Sequence, residues 1–206
     1  MKGRSSRLLF AAAVAAMALL APAGSASAGI LSESASSCPT YESTKAFSKW
    51  LDPFSYTLAP GGSFESESDL TFTGGARLVA GNESHYVRSS DDRSSVLIPR
   101  GGTVTTGALC VGLDKPTVRF FARRPNFALL PLMTVEAVYT TRSGGTASLP
   151  LVGVPLAGNA WSLQLPMVSL NSVLELGDST MMRFRLRAVS GDWQVDDFYV
   201  DPWRRY

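Results

Sequence analysis

The sequence is short of the residues from which catalytic and metal centres are commonly built. Among 206 residues there is one histidine, His85, and only two cysteines, Cys38 and Cys110. A zinc cluster of several histidines is excluded, and a Ser-His-Asp arrangement would have to run through His85, in the loop-like stretch GNESHYV. No G-x-S-x-G, H-E-x-x-H or glycine-rich phosphate loop occurs. Long amphipathic helical patterns are missing as well. The one long apolar run, Leu8 to Ala21, covers 14 residues, short of the ~20 that a membrane-crossing helix needs.

That run sits inside a recognisable leader. Lys2, Arg4 and Arg7 precede it, and small residues ending Ala26-Ser27-Ala28 follow it, the layout of a secretory signal peptide with an A-x-A cleavage site. We expect residues 1–28 to be removed and the rest exported as a secreted, extracellular protein. Removing them takes away three of the 19 basic residues and none of the 17 acidic ones, leaving 16 against 17. A nearly neutral mature chain gives no reason to expect general affinity for nucleic acid or anionic membrane. Its 178 residues suit one domain with a sizeable core. It is expected to act as a monomer.

In an oxidising compartment the two cysteines are expected to form one bridge, Cys38–Cys110, closing a long loop; two buried free thiols are the alternative. Residues 29–37 are small and polar and read as a flexible N-terminal segment, with the domain proper at 38–206. Past Asp52-Pro53 the chain reads as sheet. Leu70–Thr73, Arg77–Ala80, Ser95–Ile98, Thr117–Arg123, Leu132–Thr140, Thr146–Leu149, Trp161–Leu165, Met181–Ala188 and Trp193–Val200 are short and rich in β-branched or aromatic residues, with Gly, Pro, Asn, Asp and Ser between them. The pattern predicts an all-β fold, a two-sheet antiparallel β-sandwich of the jelly-roll kind. Alternation is clearest in MMRFRLRA, where Met182, Phe184, Leu186 and Ala188 share one face and Arg183, Arg185 and Arg187 the other. TVRFFAR repeats it, with Val118, Phe120 and Ala122 inward and Arg119, Phe121 and Arg123 outward.

The segment PGGSFESESDLTFTGGARLVAGNES, paired with WQVDDFYVDPW near the end, resembles the first and last strands of galactose-binding-like jelly rolls. In carbohydrate-binding modules of families 4, 9 and 22 an F-E pair opens the domain and an I-D-D-V strand closes it. From Cys38 to Trp203 the layout of FE, GNE, C, RFFAR, FRL and WQVDDFYVDP also resembles a family of secreted actinobacterial proteins to which no activity is assigned. The resemblance implies a galactose-binding-domain-like sandwich and export. It also implies that the opening and closing strands meet, bringing Glu65 near Asp196 and Asp197.

Unpaired carboxylates next to a core are costly, so something must compensate them. One expectation is a structural Ca²⁺ held by Glu65, Asp196, Asp197 and backbone carbonyls, as in the resembling modules. The other is a β-bulge at Asp196-Asp197, with one carboxylate accepting backbone N–H bonds from the opposing loop and the other facing water. A glycosidase pair needs two carboxyl groups across an open cleft, and no pair of acids here is distinguished by spacing.

The outward row Arg183, Arg185 and Arg187 could grip carboxylated or phosphorylated glycan through bidentate contacts, or could be a solvated face paired with Glu136. Trp161, Phe121, Tyr139 and Trp203 are the aromatic candidates for stacking on sugar rings. The expectation is therefore a secreted, non-catalytic binding protein for extracellular or cell-wall glycan. A small polysaccharide hydrolase or lyase and a purely structural protein are the rival readings.

Overall fold

The computed structural model describes residues 31–112, 117–154, 158–164, 167–168 and 179–200; the leader and Trp203 lie outside the described residues. Two antiparallel sheets pack face to face. In the first, β10 (Ser162–Leu163), β7 (Thr117–Arg123), β13 (Trp193–Val200), β4 (Ser94–Ile98) and β3 (Arg77–Ala80) run in that spatial order, with β1 (Thr57–Leu58) paired to β13 and β11 (Met167–Val168) to β7. In the second the order is β2 (Thr71–Thr73), β5 (Thr103–Thr105), β12 (Ser179–Ser190), β8 (Leu132–Thr140) and β9 (Thr146–Val154), with β6 (Leu109–Gly112) also on β12.

Period-two alternation builds the core between them. Met182, Phe184, Leu186 and Ala188 of β12 and Met133, Val135 and Ala137 of β8 are fully buried, against Val118, Phe120 and Ala122 of β7. Each large apolar side chain so buried contributes roughly 1.5–3 kcal/mol relative to exposure.

Strand β13 is buried along its whole length. Its inward residues are Trp193 and Val195, then Phe198 and Val200, a change of parity that one extra residue produces. The register to β7 shifts between Asp196 and Tyr199, and Asp197 has φ of 50°, a left-handed conformation that Asp tolerates better than most residues. The sequence-level bulge is therefore present. Both of its carboxylates, however, are buried, whereas one was expected to face water. The outer face of this strand is covered by the 81–93 connection and by the segment around residues 41–56.

That segment forms a single 3₁₀ turn, Ser48–Trp50, and lays Phe47 and Tyr56 onto Phe121 and Tyr199, a second apolar cluster outside the first sheet. Arg119 points into it and is paired with Asp52, with its guanidinium 4.9 Å from the Phe47 ring centre. The expected disulfide, Cys38–Cys110, joins the start of this segment to β6. Ahead of this segment Ser32 bridges Thr141, Glu33 N–H donates to Thr140 O at 2.8 Å and Ala35 N–H to Ser179 O at 2.6 Å. Small polar residues can supply an edge pairing because the bonds are those of the backbone.

Candidate functional site

Two places concentrate functional side chains. The first is where β13 meets the connection between β3 and β4. Oδ2 of Asp196 accepts the Glu83 N–H at 2.8 Å and its Oδ1 accepts the Asp197 N–H at 2.9 Å. Oδ2 of Asp197 accepts the Arg88 N–H at 3.3 Å. Glu83 turns back on its own loop, accepting from Val87 N–H at 2.6 Å and His85 N–H at 2.5 Å. Asp92 is bonded to the Arg88 guanidinium, through Nε at 2.9 Å. Four buried carboxylates thus meet at this junction, and Asp92 and Asp197 act on the one arginine there, Arg88.

Glu65 holds the same loop from its other end. Its Oε1 accepts the Arg93 N–H at 2.9 Å and the Ser94 N–H at 2.8 Å. The turn carrying Glu65 is seated against the bulge through Gly62: Phe198 N–H donates to Gly62 O at 2.8 Å, and a Cβ at Gly62 would lie 2.5 Å from Phe198 O. Glu65, Asp196 and Asp197 therefore act on one loop. Glu65 reaches it near residue 93 and the two aspartates between residues 83 and 88.

Burial and crowding set the charge state. Burial, and then the neighbouring Asp197, push the Asp196 carboxyl up to about 9. Burial, followed by Glu83 and Asp92, raises Asp197 to about 7. For Arg88 burial works against the charge, but the bond to Asp92 and the surrounding carboxylates outweigh it and raise its pKa.

A calcium ion, implied by the resemblance, would need free oxygens. Oε1 of Glu65 and both oxygens of Asp196 already accept N–H bonds. Among the described residues no three acidic, histidine or cysteine side chains form a metal-binding group. Oδ1 of Asp197 and Oδ1 of Asn82, however, are buried without a hydrogen-bond partner. Both are oxygen donors of the kind a hard cation takes.

The second place is the outer face of the second sheet. Arg183 and Arg187 are exposed there and Arg185 half-exposed, spaced ~7 Å apart along β12. Arg185 lies between Thr105 and Glu136 in register, and its Nη1 is 3.3 Å from Glu136 Oε2. Arg187 lies between Thr103 and Thr134. Beyond them Thr73 and Thr103 share a hydroxyl bond of 2.7 Å. The result is a row of three guanidinium groups, with threonine hydroxyls beside Arg185 and Arg187 and Val138 beside Arg183.

Two of the aromatic candidates are corrected by the structure. Phe121 is fully buried, because the 41–56 segment covers the outward face of β7 on which its parity places it. Tyr139 shares the inward parity of Met133, Val135 and Ala137 and is 4 % exposed, in the main core. Neither can stack on a ligand. Trp161 is half-buried, with the Arg123 guanidinium 4.7 Å from its ring centre. His85 packs its ring against Trp50 and Phe121, centres 5.0 and 5.5 Å away. Sequence reasoning missed Glu83, Arg88 and Asp92 as partners of the aspartate pair, since nothing local in GNES or RSSDDR marks them as buried.

No protein-family model matches the chain, and no curated protein is similar to it in sequence. Solved structures are similar in fold. A xylan-binding module of family 22 from Paenibacillus barcinonensis Xyn10C aligns over 70 % of this chain and 94 % of its own, with TM-score 0.50 and 10 % identity. The family 22 module within a Clostridium thermocellum endo-1,4-β-D-xylanase aligns over 68 % of this chain, with TM-score 0.51 and 10 % identity, and the match spans 28 % of that longer protein. The chain shares with these modules the fold of a two-sheet antiparallel jelly roll.

Proposed function

We propose that this is a secreted, non-catalytic glycan-binding β-sandwich that takes anionic polysaccharide, carboxylated or phosphorylated, on the outer face of its second sheet. The observation that carries the reading is the row Arg183, Arg185 and Arg187 at alternate positions of one strand, with Thr103, Thr105 and Glu136 beside it. Guanidinium groups bind carboxylate and phosphate bidentately, and hydroxyls on either side supply bonds to sugar. Glu136 orients Arg185 while leaving its outer neighbours open to a ligand. The fold likeness to xylan-binding modules supports a sugar polymer as ligand, and the leader and disulfide support an extracellular setting.

The acid cluster is architectural in this reading. Its carboxylates are buried and spent on loop amides rather than facing each other across a cleft, which speaks against a hydrolase pair. Calcium belongs to the same proposal as a structural ion: Asp197 Oδ1 and Asn82 Oδ1 would hold it, and its charge would offset the buried carboxylates.

A glycan-array screen of the mature chain, repeated with calcium and with chelator, tests the function. Retention on acidic polysaccharides such as polyuronates or phosphate-linked wall polymers is expected, with neutral xylan weaker. Absence of binding to every glycan under both conditions would leave the structural-protein reading in its place, and turnover of a bound polymer would favour the hydrolase or lyase.

A further inference from the structure

The β7–β8 connection, residues 124–131 with the sequence RPNFALLP, breaks the usual rule for large apolar side chains. Phe127 is 89 % exposed, Leu129 83 % and Leu130 78 %. Most exposed apolar residues stand singly, but these three share one projecting loop. Beside them lies a hollow of about 470 Å³ with Arg100 and Asp192 on its wall.

The loop is held in this outward posture. Arg124 Nη1 donates to Ala128 O at 3.3 Å, and Arg124 N–H to Gly158 O at 2.7 Å. Asn126 Nδ2 donates to Asp192 Oδ2 at 3.1 Å, and the Arg100 N–H to Asp192 Oδ1 at 2.9 Å. Gly191 lets the loop sit close: its φ is 74°, and a Cβ there would lie 2.8 Å from the Ala128 Cβ. Pro125 and Pro131 bracket the tip. Ordering costs are thus met before any partner arrives.

Strand register places the surrounding charge. Arg77 begins β3 opposite Leu97, Arg100 follows β4, Arg123 ends β7 opposite Gln194, and Arg124 follows it, so all four stand at the apolar end of the sandwich. Among the described residues Asp192 is the acid within this group, and its two oxygens are taken by the Arg100 amide and Asn126. The opposite ends of β3 and β4 carry the connection with Glu83, Asp91 and Asp92, where Arg88 and Arg93 stand beside the acids. A chain that is neutral as a whole therefore gathers four arginines at this end.

We infer that this end docks on an anionic lipid surface, with Phe127, Leu129 and Leu130 entering the headgroup–acyl boundary and the arginines at the loop base lying over lipid phosphates. An apolar tip ringed by cations matches such an interface on both counts. A two-fold contact with a second copy would bury the same side chains but bring arginines against arginines. A glycan would leave the aliphatic tip without polar partners to recognise.

The test is co-sedimentation of the full mature chain with vesicles of phosphatidylcholine alone or mixed with phosphatidylglycerol. Binding to the anionic vesicles is expected, weakening as salt is raised. The triple variant Phe127→Ser, Leu129→Ser, Leu130→Ser loses about a hundredfold or more in affinity while melting like wild type, since its side chains are exposed. Arg77→Gln with Arg100→Gln loses about thirtyfold and with it the preference for phosphatidylglycerol. A Phe127→Trp variant shifts its emission to the blue on vesicle addition. Failure of wild type to sediment with anionic vesicles, or retention of full binding by the triple serine variant, overturns the inference. So does a loop-dependent dimer in the absence of vesicle binding. No glycan enters this assay, so its outcome is independent of the sugar-binding reading.

Discussion

The amide of Glu83 donates to the carboxylate of Asp196 at 2.8 Å, although the two residues stand 113 positions apart. The Asp197–Arg88 bond spans 109 positions and the Glu65–Arg93 bond 28. The 81–93 connection is therefore held from two directions, by the closing strand and by the turn after β1. Removing Asp196 strands the Glu83 amide inside the protein. Asp196→Ala is expected to destabilise by about 1–3 kcal/mol. Asp196→Asn keeps an acceptor oxygen for the Glu83 amide and is neutral without binding a proton, so it costs clearly less. Urea midpoints of the two variants check this order, and equal losses would contradict it.

The pH dependence follows from the two raised carboxyls. In the unfolded chain both titrate near 3.8, and in the fold Asp196 near 9 and Asp197 near 7. Between those limits the native state binds more protons than the unfolded state, so stability falls as pH rises. The stabilising proton is fully in place below about pH 4 and is lost as pH climbs through 7 and towards 9. With chelator present, melting at pH 5.5–9, read against Asp196→Asn, should show a downward slope that the variant flattens. A wild-type profile that rises across this range would refute the cause given.

Calcium acts in the opposite sense, because an ion favours ionised carboxylates. If Asp197 and Asn82 hold it, saturating Ca²⁺ raises Tm by about 5 °C over the chelated protein. Asp197→Asn and Asn82→Ala should each remove most of that rise. Identical melting of wild type in calcium and in chelator takes the ion out of the account.

The arginine row is read by charge removal on an exposed face. Arg183→Ala with Arg187→Ala should leave folding within about 0.5 kcal/mol of wild type. Binding to acidic glycan should weaken by about tenfold or more, as two charge-assisted contacts are lost. Unchanged retention on an acidic-polysaccharide column would move the site elsewhere, with Trp161 and Arg123 the next place to probe.

The Cys38–Cys110 bridge closes a loop of 72 residues. On the chain-entropy view such a closure is worth about 4 kcal/mol. Cys38→Ser with Cys110→Ser is expected to lose up to that amount in denaturant unfolding, with the sandwich still formed. Two free thiols by mass spectrometry of the unreduced wild type would contradict the bridge.

Local pattern carried much of this fold. The alternation in MMRFRLRA placed Phe184 inward and Arg185 outward, and both lie there. Tyr139 has the parity of Val135 and Ala137, so its burial was already written in β8. Phe121 is different: its parity gives the outward face correctly, but whether that face meets water depends on the 41–56 segment folding over it. Parity knows a side of a strand and nothing of what lies beyond it.

By itself the chain determined its longer strands and the two faces on β12, and it narrowed Asp196-Asp197 to a bulge or a calcium site and the cysteines to a bridge or free thiols, because period, turn chemistry and cysteine count act over a few residues or by elimination. Only the tertiary structure decided that Glu83, Asp92 and Arg88 close around the aspartates, that Phe121 is covered, and that arginines gather at one end beneath Phe127, Leu129 and Leu130. Burial and electrostatic energy depend on distance in space, and strand pairing brings residues more than a hundred positions apart within hydrogen-bonding reach.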